Sequence, residues 1–415
     1  MGSAALWRRL SGASSRTERS SHPTVASTTW RNIAVNLGLV AASVVFALGM
    51  AEIVVRVMDL EPPAMWHFTS TVGWLYQPNL KTWYTSPEFH SRVEINSRGF
   101  HDREHAYAKP PGVVRIVTLG DSFVAAIEVP LEDSFSRLLE KRLNELGAPT
   151  RFEVINLGVG GYSTVNEMLM FGEEGAKYRP DLVIVFFNDG DIRDNFHLTV
   201  DSVVPGAPYF ELIDGRLVLK HFPIGPLTSV KRLVGQLRVV RLVNRMVISL
   251  GRRTSTAAGG GESQLPMGTL YSEKRSPEWT RAVDISRALF SALNRDVTAN
   301  GGRLAVVSLG GSMEGEELRR KLGKPQLGVE GELREFFTAL GVPQRWLGRC
   351  LYDEERLNGK PIRFPRDRHL TSQGHQIVAA WTETWLRERN LLPVDLTRGS
   401  RGSTATATPV CAGTD

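Results

Sequence analysis

The run Val113–Phe123, VVRIVTLGDSF, constrains this chain more than any other stretch. It is mostly apolar and β-prone up to Leu119, and Gly120, Asp121 and Ser122 then cut it off, the pattern of a buried parallel strand ending in a tight turn. Glu132–Leu146 follows with apolar residues at helical spacing. Strand, turn and helix in that order put Ser122 at the carboxyl end of a strand. In open α/β sheets that edge binds ligands, and the turn supplies backbone N–H groups beside the hydroxyl. Phe152–Asn156, Leu182–Phe187 and Leu304–Leu309 read as further strands, with a helix around Thr280–Ala299 between the last two. Alternating strands and helices predict an α/β fold with a parallel, doubly wound sheet. Pro208–Lys220 reads as a hairpin turning at Asp214 and Gly215, a helix starts at Val329, and Gln376–Arg389 has the period of a closing helix.

The amino-terminal end carries a second strong signal. Residues 1–30 are rich in Ser, Thr and Arg without an apolar period and read as a disordered tail. Ile33–Val55 is nearly all apolar, and about 20 such residues span a bilayer as a helix. A cleaved signal peptide is the alternative, but the polar region before it is long and no small-x-small cleavage site follows. Residues 31–57 are therefore read as an uncleaved anchor. The arginines that precede it place the N-terminus in the cytoplasm and the bulk of the chain in the periplasm or outside the cell.

The net charge of +6 is no nucleic-acid signature, because five arginines against Glu18 in residues 1–31 account for most of it. With 42% apolar residues the chain has enough to fill a core. Two cysteines, Cys350 and Cys411, exclude a disulfide framework. Residues 58–112 mix aromatic and turn residues and suggest short strands covering one edge of the main domain. His101 and His105 are four apart, but no third metal ligand accompanies them, and the stretch reads as a solvated loop. Residues 396–415 read as a second disordered tail.

Three further blocks accompany the Gly-Asp-Ser turn in order: NLGVGGYST at Asn156–Thr164, NDGDIRDN at Asn188–Asn195, and DRHLTSQGH at Asp367–His375. With these four blocks the chain resembles the SGNH, or GDSL-type, serine hydrolases over about residues 70–390, and most closely a membrane-anchored branch whose lead-in is similar to INSRGFHD at Ile95–Asp102. The resemblance implies a flavodoxin-like three-layer sandwich over 113–395, with an insertion at about 200–275. It implies no cofactor and no metal.

A serine hydroxyl needs a base to take its proton and an acid to hold that base in one tautomer. Ser122 is the candidate nucleophile, His369 the general base and Asp367 its orienting acid; an extended loop would let residues two apart point the same way. His375, in a Gly-His context before a helix, is the competing base and reads as a structural cap. The resemblance assigns the oxyanion hole to the backbone N–H groups of Ser122 and Gly161 and to an asparagine side chain of the third block. Aligned on the Asn-Asp dipeptide that asparagine is Asn188; aligned without a gap, Gly190 stands in its place. A dinucleotide loop would want glycine at Ser163, which disfavours nucleotide binding.

The function expected is a membrane-anchored serine esterase or acylhydrolase acting through an acyl-serine on small acyl esters, such as O-acetyl groups of glycans or lipids. Two alternatives stand beside it: a catalytically degraded domain that binds polysaccharide or scaffolds an envelope assembly, and an O-acyltransferase using the same triad. Val230–Arg253 holds seven basic residues and no acidic one, with Leu233, Leu237 and Val240 on one helical face. It is a lid, a helix lying on an anionic membrane, or a surface helix packed by its apolar stripe.

Overall fold

The computed structural model describes residues 25–196, 204–254, 270, 275–310, 329–356 and 358–394. Most of the two expected tails and the glycine-rich stretch after Thr254 lie outside the described residues. The chain divides into two units, Met1–Leu60 and Glu61–Asp415. In the first, helix α1 (Val25–Val57) begins inside the stretch read as a tail. Its Trp30–Val57 portion contains an 18-residue window with a mean hydropathy of 2.2 and is long and apolar enough to cross a membrane.

The second unit is built on five parallel strands: β5 (Val113–Gly120), β6 (Arg151–Asn156), β7 (Leu182–Asn188), β10 (Arg303–Gly310) and β11 (Gln344–Trp346). They lie in the order β11-β10-β7-β5-β6. The chain thus starts in β5, steps to one side for β6, crosses back to β7 and continues outward, the doubly wound order with its switch point between β5 and β7. Every residue of β5 is buried, as a strand covered on both faces requires. Alternate side chains go to opposite sides: Val117, Leu119, Val183 and Val185 to one core, Val114, Ile116, Leu182 and Ile184 to the other. Helices α4 (Thr164–Glu173), α8 (Pro277–Ala299) and α9 (Val329–Leu340) close the first core, and α3 (Phe135–Glu145), α10 (Gly348–Arg356) and α11 (Ser372–Glu388) the second. The doubly wound three-layer reading is borne out. Strand β11, only three residues long, gave no local signal.

Local chemistry sets the helix starts. Ser134 accepts the Arg137 N–H, Ser276 the Trp279 N–H ahead of Pro277, and Thr371 the Gly374 N–H. Arg115 is a charged residue inside the central strand. Its guanidinium, 1% exposed, pairs with Glu153 at 3.0 Å and donates to the carbonyls of Ala106, Tyr107, Ala108 and Tyr178. Burial of that charge is offset by filling its donors, and it fastens the loop before β5 to the sheet. Cys350, on α10, is disulfide-bonded; Cys411, the chain's only other cysteine, lies outside the described residues.

The lead-in consists of short strands. It forms two antiparallel pairs, β1 (Trp66–Thr69) with β2 (Gly73–Tyr76) and β3 (Lys81–Thr85) with β4 (His90–Glu94), which do not extend the sheet. The expected hairpin at 208–220 is present as β8 (Pro208–Ile213) and β9 (Arg216–His221). Two helices follow it, α6 (Thr228–Gly235) and α7 (Arg238–Thr254).

Candidate active site

Ser122 opens a four-residue helix, α2 (Ser122–Ala125), at the end of β5, and Asp121 caps it by accepting the Phe123 N–H at 2.9 Å. The turn is packed too tightly for larger residues. A Cβ on Gly158, in the loop after β6, would fall 2.6 Å from the Ala125 nitrogen. The far end of α2 is held from behind: Asn156 Nδ2 donates to the Val124 carbonyl at 2.8 Å, and His101 Nδ1 lies 2.9 Å from the Ala125 carbonyl.

This corrects the reading of His101 and His105 as a solvated loop. Both are buried, His105 sits 3.1 Å from Asp102, and burial lowers the His101 pKa. The segment runs beneath the nucleophile turn, and side-chain spacing alone carries no sign of that.

His369 Nε2 lies 2.7 Å from Ser122 Oγ, and its Nδ1 lies 2.5 Å from Asp367 Oδ1. The loop between them is not extended. Arg368 adopts φ 78°, Arg368 N–H bonds to the Phe364 carbonyl, and Phe364 N–H to the His369 carbonyl. A left-handed residue in the middle of a tight turn brings the two side chains face to face, at a backbone cost of order 1–2 kcal/mol. The loop is pinned from outside by Glu88, in the β3–β4 turn, which accepts the Arg366 and Asp367 N–H groups at 3.0 and 2.7 Å. His375 belongs to the scaffold. Buried at the start of α11, it accepts the Phe135 N–H at Nδ1 (3.2 Å), and burial takes its pKa down to about 3.

The second block runs beside Ser122, with a Cβ on Gly160 placed 3.9 Å from Ser122 Cβ. Its backbone is held by the lead-in. Trp74 Nε1 donates to the Gly160 carbonyl at 2.9 Å, and the Tyr76 hydroxyl accepts the Gly160 N–H at 3.0 Å. Since a trans peptide directs its C=O and N–H oppositely, fixing the Gly160 carbonyl on Trp74 turns the Gly161 N–H away from Trp74. Gly161 itself adopts φ 80°, which suits glycine. Neither Ser122 N–H nor Gly161 N–H has a partner among the described residues.

From the third block, Asn188 ends β7 beside the nucleophile turn. Its Nδ2 donates to Asp121 Oδ2 at 2.7 Å, while its Oδ1 accepts the Gly190 N–H at 2.7 Å and so caps α5 (Asp189–Asp194). Gly190 thus lies inside the first turn of α5 with its N–H committed. Beneath these residues sits a group of acids. Burial raises Asp191 and Glu167 well above the carboxylate range, and both Glu167 oxygens lack a partner among the described residues. Asp121 keeps some exposed edge but is packed round by protein, and that desolvation pushes it up to about 6.

Sequence reasoning missed four contributors: Trp74, Tyr76, Glu88 and Glu128. Glu128, 4% exposed, has Oε1 3.5 Å from His369 Nδ1, and burial lifts its pKa to about 7 while His369 pulls the other way. Its sign in the sequence is a single acid within the otherwise apolar run VAAIEVP. Glu128, Asp367 and His369 bring ligand atoms within 4.8 Å of one another, a spacing a metal would accept as well. His369 already offers Nδ1 to Asp367 and Nε2 to Ser122, the arrangement of a proton relay.

No family model and no curated protein matches the chain. Solved structures similar to it include an acetyl xylan esterase, AlAXEase (12% identity, 66% of this chain and 98% of that one, TM-score 0.35). A lipase/acylhydrolase from Enterococcus faecalis is similar at 13% identity (67% and 97%, TM-score 0.35), and the psychrotrophic esterase EstA from Pseudoalteromonas sp. at 10% (66% and 98%, TM-score 0.35). At these scores the likeness carries no argument about activity, which rests on the side chains above.

Proposed function

We propose that the protein is a membrane-anchored serine esterase or acylhydrolase of the SGNH type. The observation that carries this reading is the hydrogen-bonded series Asp367–His369–Ser122 at the carboxyl end of β5, where a doubly wound sheet binds its ligand. Ser122 Oγ attacks the acyl carbonyl as its proton passes to His369 Nε2. The ester C–O bond breaks as His369 returns that proton to the departing alcohol oxygen. Water then attacks the acyl-serine, again with His369 as base, releasing the acid and restoring Ser122. The N–H groups of Ser122 and Gly161, with the Asn188 Nδ2–H that is not given to Asp121, are the donors for the developing oxyanion. Small acyl esters, O-acetyl groups of glycans or lipids among them, are the substrate class. With Trp30–Val57 spanning the bilayer and arginines on its amino-terminal side, the catalytic unit stands in the periplasm or outside the cell.

The test is fluorophosphonate labelling of the full chain beside its Ser122→Ala and His369→Ala variants. Labelling that needs both residues is the expected result. A folded protein that takes no label refutes the reading and leaves a binding or scaffold module in its place.

A further inference from the structure

Beyond Leu60, thirteen large apolar side chains of the described residues are exposed, and nine of them fall between Ile224 and Ile248. From the N-cap of α6 onward, Leu227, Val230 and Val234 recur at three- and four-residue spacing, 61%, 55% and 40% exposed. On α7, Val243 and Val247 do the same at 51% and 62%. A surface helix packed by its apolar stripe would hide these side chains, and Leu233, expected on that stripe, is 73% exposed. The same stretch holds Lys231, Arg232, Arg238, Arg241 and Arg245 and no acidic residue. An apolar stripe flanked only by cations is the pattern of a helix lying in the interface of an anionic bilayer.

The chain's own connectivity selects the bilayer as the occupant. Arg245 pairs with Glu61 at 2.9 Å, and Arg241 donates to Glu61 at 3.2 Å and to the Pro62 carbonyl at 2.6 Å. Glu61 follows Val57, the last residue of the candidate span, by four residues, at most about 14 Å of extended chain. The basic helix is thus fastened to the residues the chain must keep near the point where it leaves the membrane. Arg232 lies over the Phe68 ring at 3.4 Å and ties α6 to β1.

We propose that α6 and α7 rest on the bilayer surface, with the Leu227–Val230–Val234 and Val243–Val247 stripes in the headgroup layer and the exposed Lys231 and the exposed flank of Arg245 toward anionic lipid. The proposal rests on reading Trp30–Val57 as a membrane span. It assigns the insertion as an interfacial foot that holds the catalytic unit against its membrane.

The full chain is placed in nanodiscs of phosphatidylcholine with phosphatidylglycerol, carrying an environment-sensitive label at Val247→Cys, at Val230→Cys or, as a control, at Asp214→Cys in the exposed β8–β9 turn. The label on the parent chain serves as background. Lipids spin-labelled just below the headgroups should quench the Val230 and Val247 labels at least about fivefold more than the Asp214 label, with a blue shift that weakens as salt is raised. A chain that enters the discs but shows equal quenching at all three sites refutes the docking alone. A chain that never enters the discs refutes the span, and the docking with it.

Discussion

Replacing Glu128 by Gln tests how the second carboxyl on His369 acts. The side chain is nearly fully buried and its pKa is about 7 against an ordinary 4.5, a difference of ~3 kcal/mol. Because the folded state holds this proton more tightly than the unfolded chain, the group's contribution to stability is fully present below about pH 4.5. It is lost as pH rises through about 7. Glutamine does not ionise, so the variant escapes that loss: near pH 4.5 the two proteins should unfold alike, and at pH 8 the variant should be more stable by up to ~3 kcal/mol. Activity should move the other way. An ionised Glu128 3.5 Å from His369 Nδ1 stabilises the imidazolium with a ceiling of ~5 kcal/mol at an effective dielectric constant of about 20. Asp367 shares that task and the histidine is partly exposed, so about 1–2 kcal/mol is expected, or roughly tenfold in kcat/KM. The groups facing Glu128 are Asp367, His369, Asp121, Tyr76 and Tyr84, and burial keeps the two tyrosines neutral. Denaturant unfolding at pH 5 and pH 8, with a pH–rate profile on an acetyl ester, reads both effects. A variant less stable than the parent at pH 8, or one that keeps the parent's rise in rate through pH 7, would refute this account.

Three other substitutions address the remaining parts of the site and its support. Asn188→Ala should lower kcat by about 10²- to 10³-fold with little change in KM, measured by steady-state kinetics, if its amide faces the oxyanion. Glu88→Ala removes the acceptor of two loop N–H groups, and kcat should fall by about tenfold with the melting temperature nearly unchanged, since the loss is of aim rather than of core. Arg115→Ala leaves Glu153 buried without its partner and should cost about 3–5 kcal/mol of unfolding free energy in denaturant titration.

What was readable in the chain followed from local pattern. The buried strand at Val113, the Gly-Asp-Ser turn and the Asp367–His369 pair each show in a few consecutive residues, and the structure brings Ser122, Asp367 and His369 into hydrogen-bonding contact. Trp74 and Tyr76 act on a glycine 84 to 86 residues away, and Glu88 on a loop 279 residues away, so no local window contains both partners. The misreading of His101 has the same origin, because two polar residues near turns look solvated until the sheet that covers them is in place. Leu233 and its neighbours were legible as a stripe, but whether a stripe is covered is a property of the whole fold.

The segment between the candidate span and the central strand is as much a part of the site as the strand itself, and the last of the partners arrives late. Ser122 and His369 are 247 residues apart, and Asp367 is steadied by a turn made almost at the beginning of the second unit. A ribosome completes the turn at Ser122, the glycine block and both lead-in hairpins before it adds His369. Until then the Ser122 hydroxyl is without its His369 partner. The hydrogen-bonded series Asp367–His369–Ser122 therefore forms only after most of the second unit has been made, and products truncated before His369 lack it.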